Sequence, residues 1–412
     1  MTRLAIDGGA PIRQSPLGGP PREIGDLEWE QLKRVFDAQV MNRWAGGKLT
    51  DELETRFAEF YGMEMAVAST SGTAAIHLAV GAINPDPGDE IITAPITDLG
   101  TIVPIIAQNA IPVFADVDVE TMNLDPADVE RRITTRTRAI IPVHLGGNPA
   151  DMDAILAIAR PRGIAVIEDC SQCYCASYQG RWTGTMGDFG CFSLQQSKHM
   201  TTGDGGLTVT NNRDLGERAK KFGAKGRPIY TPDGSRAYHS FGFNYNMTEL
   251  QAAVAIGQLQ RVQDVTSSRT RLGEMLTSLV AELPGVHPQR VLDGCHSTYW
   301  FYAMRLVEDE AGLSPKRFAE CMRAEGIPCG VHYIGKPIFL YDSIRSKQVY
   351  GASNYPWSLQ EPDRAVRYEE GECPNTERVL SEMITIPLHE KYADGDVRDI
   401  AAAIEKVVTA GR

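Results

Sequence analysis

The sequence predicts an α/β protein. A large domain built on a mostly parallel sheet occupies residues 1–255, with an N-terminal arm, and a smaller α+β domain occupies residues 256–412. Three observations predict this. Between residues 65 and 169 short β-rich runs alternate with helical segments, the rhythm of strand–helix–strand units that cover a parallel sheet. The β-rich runs are nearly continuously apolar, as strands are when both faces are buried. The length, 412 residues, is too much chain for one small core.

The elements follow in order. The first twenty or so residues carry Gly9, Pro11, Pro16, Gly18, Gly19, Pro20 and Pro21, which predict an irregular arm. Helical patterns cover residues 28–38 and 49–61, the second with Leu53, Phe57 and Phe60 at helical spacing. Strands are expected at 65–69, 90–94, 112–116, 139–144 and 165–169, and helices at 73–82, 101–108 and 152–159. Residues 250–274 read as one long helix that could bridge two domains. After it come an apolar run at 300–306, a helix at 315–325, a polar irregular stretch at 341–370 and a last helix at about 396–408.

Composition excludes some functions. Hydrophobic content is 42% and charged content 23%, ordinary for a globular protein. A formal net charge of −12 argues against binding nucleic acid through the overall field. The N-terminus has no apolar signal core, and no stretch approaches the roughly 20 apolar residues of a membrane span, which predicts a cytosolic protein away from membranes. Eight cysteines include the C-x-x-C-x-C cluster Cys170, Cys173 and Cys175. With no second clustered pair downstream, reduced thiols are expected rather than a metal site.

Three segments carry chemistry. The run from Phe192 to Gly206 places Lys198 between a strand-like entry and a polar, glycine-rich turn, with Ser193 suited to donate to a phosphate. A lysine beside an apolar or cationic site has a depressed pKa and forms an imine with an aldehyde; alone, this pattern also fits a solvated surface lysine. Val166-Ile167-Glu168-Asp169-Cys170-Ser171-Gln172 ends an apolar strand in a carboxylate pair, where open α/β sheets place ligands. An Asp there can pair with a protonated pyridine nitrogen, or can cap the next helix. Ser69-Thr70-Ser71-Gly72-Thr73 follows a strand and opens a helix, which suits either a phosphate or a plain N-cap. Together the three supply a phosphate cradle, a pyridine anchor and an imine lysine.

With these motifs in place, the chain resembles the sugar aminotransferase family usually named DegT/DnrJ/EryC1/StrS, within the fold type I (aspartate-aminotransferase-like) enzymes of pyridoxal 5'-phosphate (PLP). The resemblance runs from Trp44-Ala45-Gly46-Gly47 to Cys373-Pro374-Asn375-Thr376-Glu377. It implies a seven-stranded, mostly parallel sheet in the large domain. It implies PLP bound to Lys198, with pyridoxamine 5'-phosphate as intermediate. Asp169 matches the pyridine-nitrogen partner and Gln172 the residue near the ring and its 3-hydroxyl. Gly72, Thr73 and Ser193 match the phosphate binders. Asn244, in Asn244-Tyr245-Asn246-Met247-Thr248-Glu249, matches an asparagine that reaches the neighbouring subunit's phosphate, implying a homodimer with shared active sites.

The chain departs from the family pattern in three places. Asp98 stands after Thr97, where an aromatic commonly stacks on the ring; either stacking comes from elsewhere or Asp98 serves the substrate. Asn246 replaces the usual Arg or Lys, and Gly146-Gly147 replaces an aromatic–glycine pair. Trp44, His332 and Tyr333 are candidates for substrate contact, whereas His144 and His199 read as packed histidines. The implied reaction moves an amino group from glutamate or glutamine to a keto-sugar, ketocyclitol or related ketone, as in antibiotic pathways. The alternatives are a dehydratase, a cyclising and aromatising enzyme such as a 3-amino-5-hydroxybenzoate synthase, and a regulatory protein that keeps the fold without turnover. Dehydratases of the family carry histidine in place of the imine lysine, so Lys198 favours transamination.

Overall fold

The computed structural model describes residues 3–19, 23–226, 234–235, 237–238 and 240–411; Pro20 and Pro21 of the expected arm lie outside these. A seven-stranded sheet runs in the order Met65–Ser69, Gly206–Thr210, Phe189–Ser193, Ala165–Asp169, Thr137–Ile141, Glu90–Thr93, Ile111–Phe114. Gly206–Thr210 pairs antiparallel with both neighbours, and the other pairings are parallel. Helix Gly72–Ile83 lies against it and is buried along almost its whole length. A second sheet, of four antiparallel strands, runs Val286–Pro288, Tyr302–Leu306, Met383–Ile386, Gly330–Val331.

The strands at Met65–Ser69 and Ala165–Asp169 and the helices at Leu49–Tyr61 and Met152–Ala159 fall where the sequence puts them. Strand Gly206–Thr210 escapes the apolar pattern because both of its threonines are buried. Their hydroxyls donate to the carbonyls of Ala75 and Asp188 at 2.8 and 2.7 Å, so polar side chains sit inside without loss.

The expected helix over 250–274 is two helices, Glu249–Leu259 and Val262–Val280. The two halves serve different cores. Ala252, Ile256 and Leu259 pack with Leu53, Phe57 and Phe192, whereas Leu272, Leu276 and Val280 pack with Tyr302, Met304 and Ile404. Each fully buried Leu, Ile or Phe stabilises by roughly 1.5–3 kcal/mol, so two cores at different angles outweigh one straight helix. The guanidinium of Arg261, at the break, is held by Glu28 at 3.1 Å.

Two further segments cross the molecule. In the arm, Ala5 and Ile12 donate their N–H groups to the carboxylate of Glu325 at 2.8 and 3.0 Å, and Leu17 joins the core of the four-stranded sheet. The polar stretch 341–370 carries only short turns and a four-residue helix, Asp342–Arg345. Its Trp357 and Tyr368 are nevertheless buried against Ile111 and Phe114 at the edge of the large sheet.

Helix Leu49–Tyr61 shows how distant sequence closes local structure. Lys48 offers no side-chain cap. The carboxylate of Glu249 accepts instead from the N–H groups of Leu49 and Thr50, at 2.6 and 3.2 Å. Gly47 makes room for it, since a Cβ there would lie 2.4 Å from the Glu249 carboxyl carbon.

Candidate active site

The parallel strands end on one side of the large sheet, and a cavity of about 370 Å³ lies there. Gly72, Thr73, Asp98, Asp169, Gln172, Ser193 and Lys198 all line it. Residues from four separate strand ends thus meet in one cavity.

The carboxylate pair divides its work, because neighbouring residues on a strand point to opposite faces. Asp169 faces the cavity. Its Oδ2 accepts from the Thr101 hydroxyl at 2.8 Å and its Oδ1 from the Ser171 N–H at 3.0 Å. Glu168 is fully buried on the other face. It accepts from the backbone N–H groups of Gly184, Met186 and Gly187 at 2.7–2.8 Å, and from His144 Nε2 at 3.1 Å. His144 Nδ1 accepts from the Ala150 N–H, so Nε2 carries the proton. A buried carboxylate with four donors is compensated for its lost hydration.

His144, Glu168 and Cys170 form the one potential metal-ligand group among the described residues, with ligand atoms within 4.8 Å of one another. Glu168 is already saturated, which makes this a hydrogen-bonded knot rather than an open ligand set. Cys173 and Cys175 stand outside it, and the eight cysteines are free thiols. His199 is also packed, its Nε2 donating to the Thr298 carbonyl at 2.9 Å.

Lys198 lies in the turn joining the antiparallel strands Phe189–Ser193 and Gly206–Thr210. The turn is closed by Leu194 N–H to Gly205 O at 2.8 Å and Lys198 N–H to Gln195 O at 2.9 Å. Burial lowers the lysine pKa to about 8, against the pull of Asp169 and Asp98 in the other direction. About a fifth of the amine is therefore neutral near pH 7.4, far more than for a free lysine, and able to attack an aldehyde.

The start of helix Gly72–Ile83 lines the same cavity. Ser71 caps it, accepting from Ala74 N–H at 3.0 Å. The N–H groups of Gly72 and Thr73 have no partner within the helix, so they and the helix dipole favour an anion. A Cβ on Gly72 would sit 2.6 Å from the Ser193 Cβ, so only glycine lets the two phosphate candidates approach this closely. Anion cradle, carboxylate and readily deprotonated amine in one cavity fit the phosphate, ring nitrogen and aldehyde of PLP.

At the rim, Gln172 accepts from Gly146 N–H at 2.8 Å and donates to the Tyr333 hydroxyl at 3.1 Å; Tyr333 itself lines the adjoining cavity rather than this one. Asp98 lines the cavity while capping helix Leu99–Ala107 through Gly100 N–H at 2.8 Å. His332 does not line this cavity; its Nδ1 donates to the Leu380 carbonyl at 2.9 Å, a packing role set by the positive φ of its turn. Trp44 and Asn244 also stand outside the cavity of their own chain. Trp44 Nε1 donates to Asn246 Oδ1 at 2.9 Å, and Asn246 in turn donates to Asn244 Oδ1.

Two cavity residues escape the sequence reading. Thr101, which holds Asp169, is hidden among the apolar residues of a helix. Trp300 arrives from the strand region after the second long helix, and its indole ring centroid lies 3.6 Å from Lys198 Nζ. It also lines an adjoining cavity of about 640 Å³, with Arg269, Tyr333 and His389.

Comparison with known proteins agrees with this geometry. Residues 25–405 match the DegT/DnrJ/EryC1/StrS aminotransferase family. The L-glutamine:2-deoxy-scyllo-inosose aminotransferase of Streptoalloteichus tenebrarius is 34% identical, across 98% of this chain and 97% of its own. Among solved structures, 3-amino-5-hydroxybenzoic acid synthase superposes with a TM-score of 0.83 at 26% identity, covering 96% of this chain and 100% of its own. DesI, solved in the presence of its TDP-sugar product, gives a TM-score of 0.81 at 27% identity, covering 99% and 97%. The fold is the type I fold of PLP enzymes. The chain belongs to the DegT/DnrJ/EryC1/StrS aminotransferase family and is a PLP-dependent transaminase.

Proposed function

We propose that this cavity is the active site, and that the enzyme moves an amino group from glutamine or glutamate to the ketone of a sugar, cyclitol or related compound in secondary metabolism. The observation that carries the reading is the meeting of Lys198, Asp169 and the helix start at Gly72 in one cavity. Relatives named as L-glutamine:2-deoxy-scyllo-inosose aminotransferases support the donor and the acceptor class. Retention of Lys198 supports transamination over dehydration.

PLP, when bound, supplies the aldehyde that takes the amino group and the ring that draws electrons from the donor carbon. Gly72 and Thr73 N–H groups and the Ser193 hydroxyl would hold its phosphate. Asp169 would pair with the ring nitrogen, and the Thr101 and Ser171 contacts keep its carboxylate in place. Gln172 would serve the ring and its 3-hydroxyl. Lys198 Nζ would hold the cofactor at rest and, once released, would serve as the general base and acid that moves the donor-carbon proton. Asp98 and Tyr333 face the acceptor, whereas His332 acts through packing and Trp44 lies outside the cavity of its own chain.

The active unit is a homodimer in which Asn244 reaches the partner subunit's phosphate site. Exposed Trp29 and Phe36 on one helix face, with Met41 and Trp44 nearby in sequence, support this pairing. We place the division between the two domains near residue 255, and the protein in the cytoplasm. No helix among the described residues is long and apolar enough to cross a membrane.

A half-reaction screen tests the proposal. PLP-loaded protein is mixed with amines one at a time, and conversion to pyridoxamine phosphate is followed by absorbance. Glutamine or glutamate should convert it, as should the aminated product in reverse; no conversion by any amino acid would overturn the reading. Borohydride should fix PLP on Lys198, and fixation on another lysine would overturn the site.

A further inference from the structure

We propose that the indole face of Trp300 is the resting place of the Lys198 amine whenever that amine is not bonded to the cofactor, which makes Trp300 a positioning residue. The inference rests on Lys198 being the cofactor lysine. A transaminase lysine must let go of the cofactor when substrate takes its place. It then needs a defined position from which to carry protons and return.

The structure offers that position. Lys198 Nζ lies 3.6 Å from the Trp300 ring centroid, within the range of a cation–π contact. Among the described residues no carboxylate forms an ion pair with this amine; Asp169 and Asp98 attract it from further off, and the indole face is in direct contact with it. The charged groups lining the same cavity are Asp98, Asp169 and Asp204, and the Tyr333 phenol stands behind Gln172. Arg269 lies on the far side of Trp300 and is neutralised by Glu390 at 2.8 Å.

The indole is fixed from several directions. Its Nε1–H donates at 2.9 Å to the carbonyl of Ser197, the residue before Lys198, so ring and lysine turn move together. Its backbone N–H donates to Gly146 O at 2.7 Å and its carbonyl accepts from Arg269 at 3.1 Å. Gly146-Gly147, one of the departures from the family pattern, is what lets this segment in. A Cβ on Gly147 would lie 2.7 Å from Tyr299 N, and one on Gly146 3.0 Å from the Phe301 ring. Trp300 separates the cofactor cavity from the larger one beside it, so the parked amine waits at their boundary.

The test compares Trp300→Phe with Trp300→Leu. Both lose the Ser197 hydrogen bond and some bulk, but only Phe keeps a ring face. Cofactor-free protein is labelled with acetic anhydride across a pH series, and mass spectrometry reads acetylation at Lys198, which occurs only on the neutral amine. A ring face favours the ammonium form, so the midpoint for Leu should fall below that for Phe by about half to one pH unit. In pre-steady-state mixing, return of Lys198 to the cofactor should be slowed about 3–10-fold more in Leu than in Phe. Equal midpoints, or a higher one in Leu, would overturn the proposal. The readings fail separately: borohydride trapping on another lysine sinks the function, whereas the midpoint comparison on cofactor-free protein judges Trp300 alone.

Discussion

The floor and the rim of the cavity differ in how their residues are held. On the floor, Asp169, Ser193, Gly72 and Lys198 stand at or just after strand ends, and backbone pairing within one sheet fixes them. Asp169 is further held by Thr101, and its neighbour Glu168 locks residues 184–187 behind it. At the rim, Trp300, Tyr333 and Asp98 come from separate parts of the chain, and each is held by side-chain contacts or a short turn. Tyr333 sits at positive φ and accepts one hydrogen bond from Gln172 beside it. A rigid floor suits a cofactor that every turnover shares. A rim made of replaceable contacts suits an acceptor that differs between relatives.

On this contrast, floor substitutions should cost orders of magnitude in turnover and rim substitutions much less. The largest effect is expected for Lys198→Ala. Steady-state turnover should fall by a factor of about 10⁴ or more, with loss of borohydride-fixed cofactor at that position.

Asp169→Asn should follow, with turnover reduced by about 10²–10³ and an unchanged circular dichroism spectrum. The same variant makes a signed prediction for pH. Acetylation of Lys198 in the cofactor-free wild type should rise with a midpoint at about 8, because burial disfavours the ammonium form. The Asp169 charge favours the ammonium, so removing it should move the midpoint further down.

Gly72→Ala should weaken PLP binding by about 10–100-fold, measured by fluorescence titration, because a methyl group must be accommodated against Ser193. Smallest is Tyr333→Phe, which leaves Gln172 short of one acceptor. A rise in acceptor KM of about 3–10-fold with little change in kcat is expected. A Tyr333→Phe loss as large as that of Asp169→Asn would erase the distinction between floor and rim.

The same contrast governs what the sequence discloses. Floor residues are legible because each lies within a few positions of an apolar strand run, so Asp169, Lys198 and Gly72 are found from local pattern. Which acid of the Glu168-Asp169 pair faces the cavity follows only from strand alternation once the sheet is built. Strand Gly206–Thr210 is missed because its buried threonines bond to carbonyls of distant elements. The 250–274 region is periodic throughout, and nothing local records that its halves face different cores. Trp300 is invisible for a similar reason. Its approach to Lys198 depends on two glycines about 150 residues upstream, and their role appears only when residues 298–301 are laid against them.

The Glu249 cap on helix Leu49–Tyr61 has a consequence for synthesis. The helix leaves the ribosome with its first N–H groups open, and the carboxylate that closes them is 200 residues behind. At about 5–20 residues per second this gap lasts on the order of 10–40 s. During that interval water must serve those N–H groups, and Leu53 and Phe57 wait for the same late-arriving helix to cover them. The large domain is thus unfinished until most of its chain has emerged.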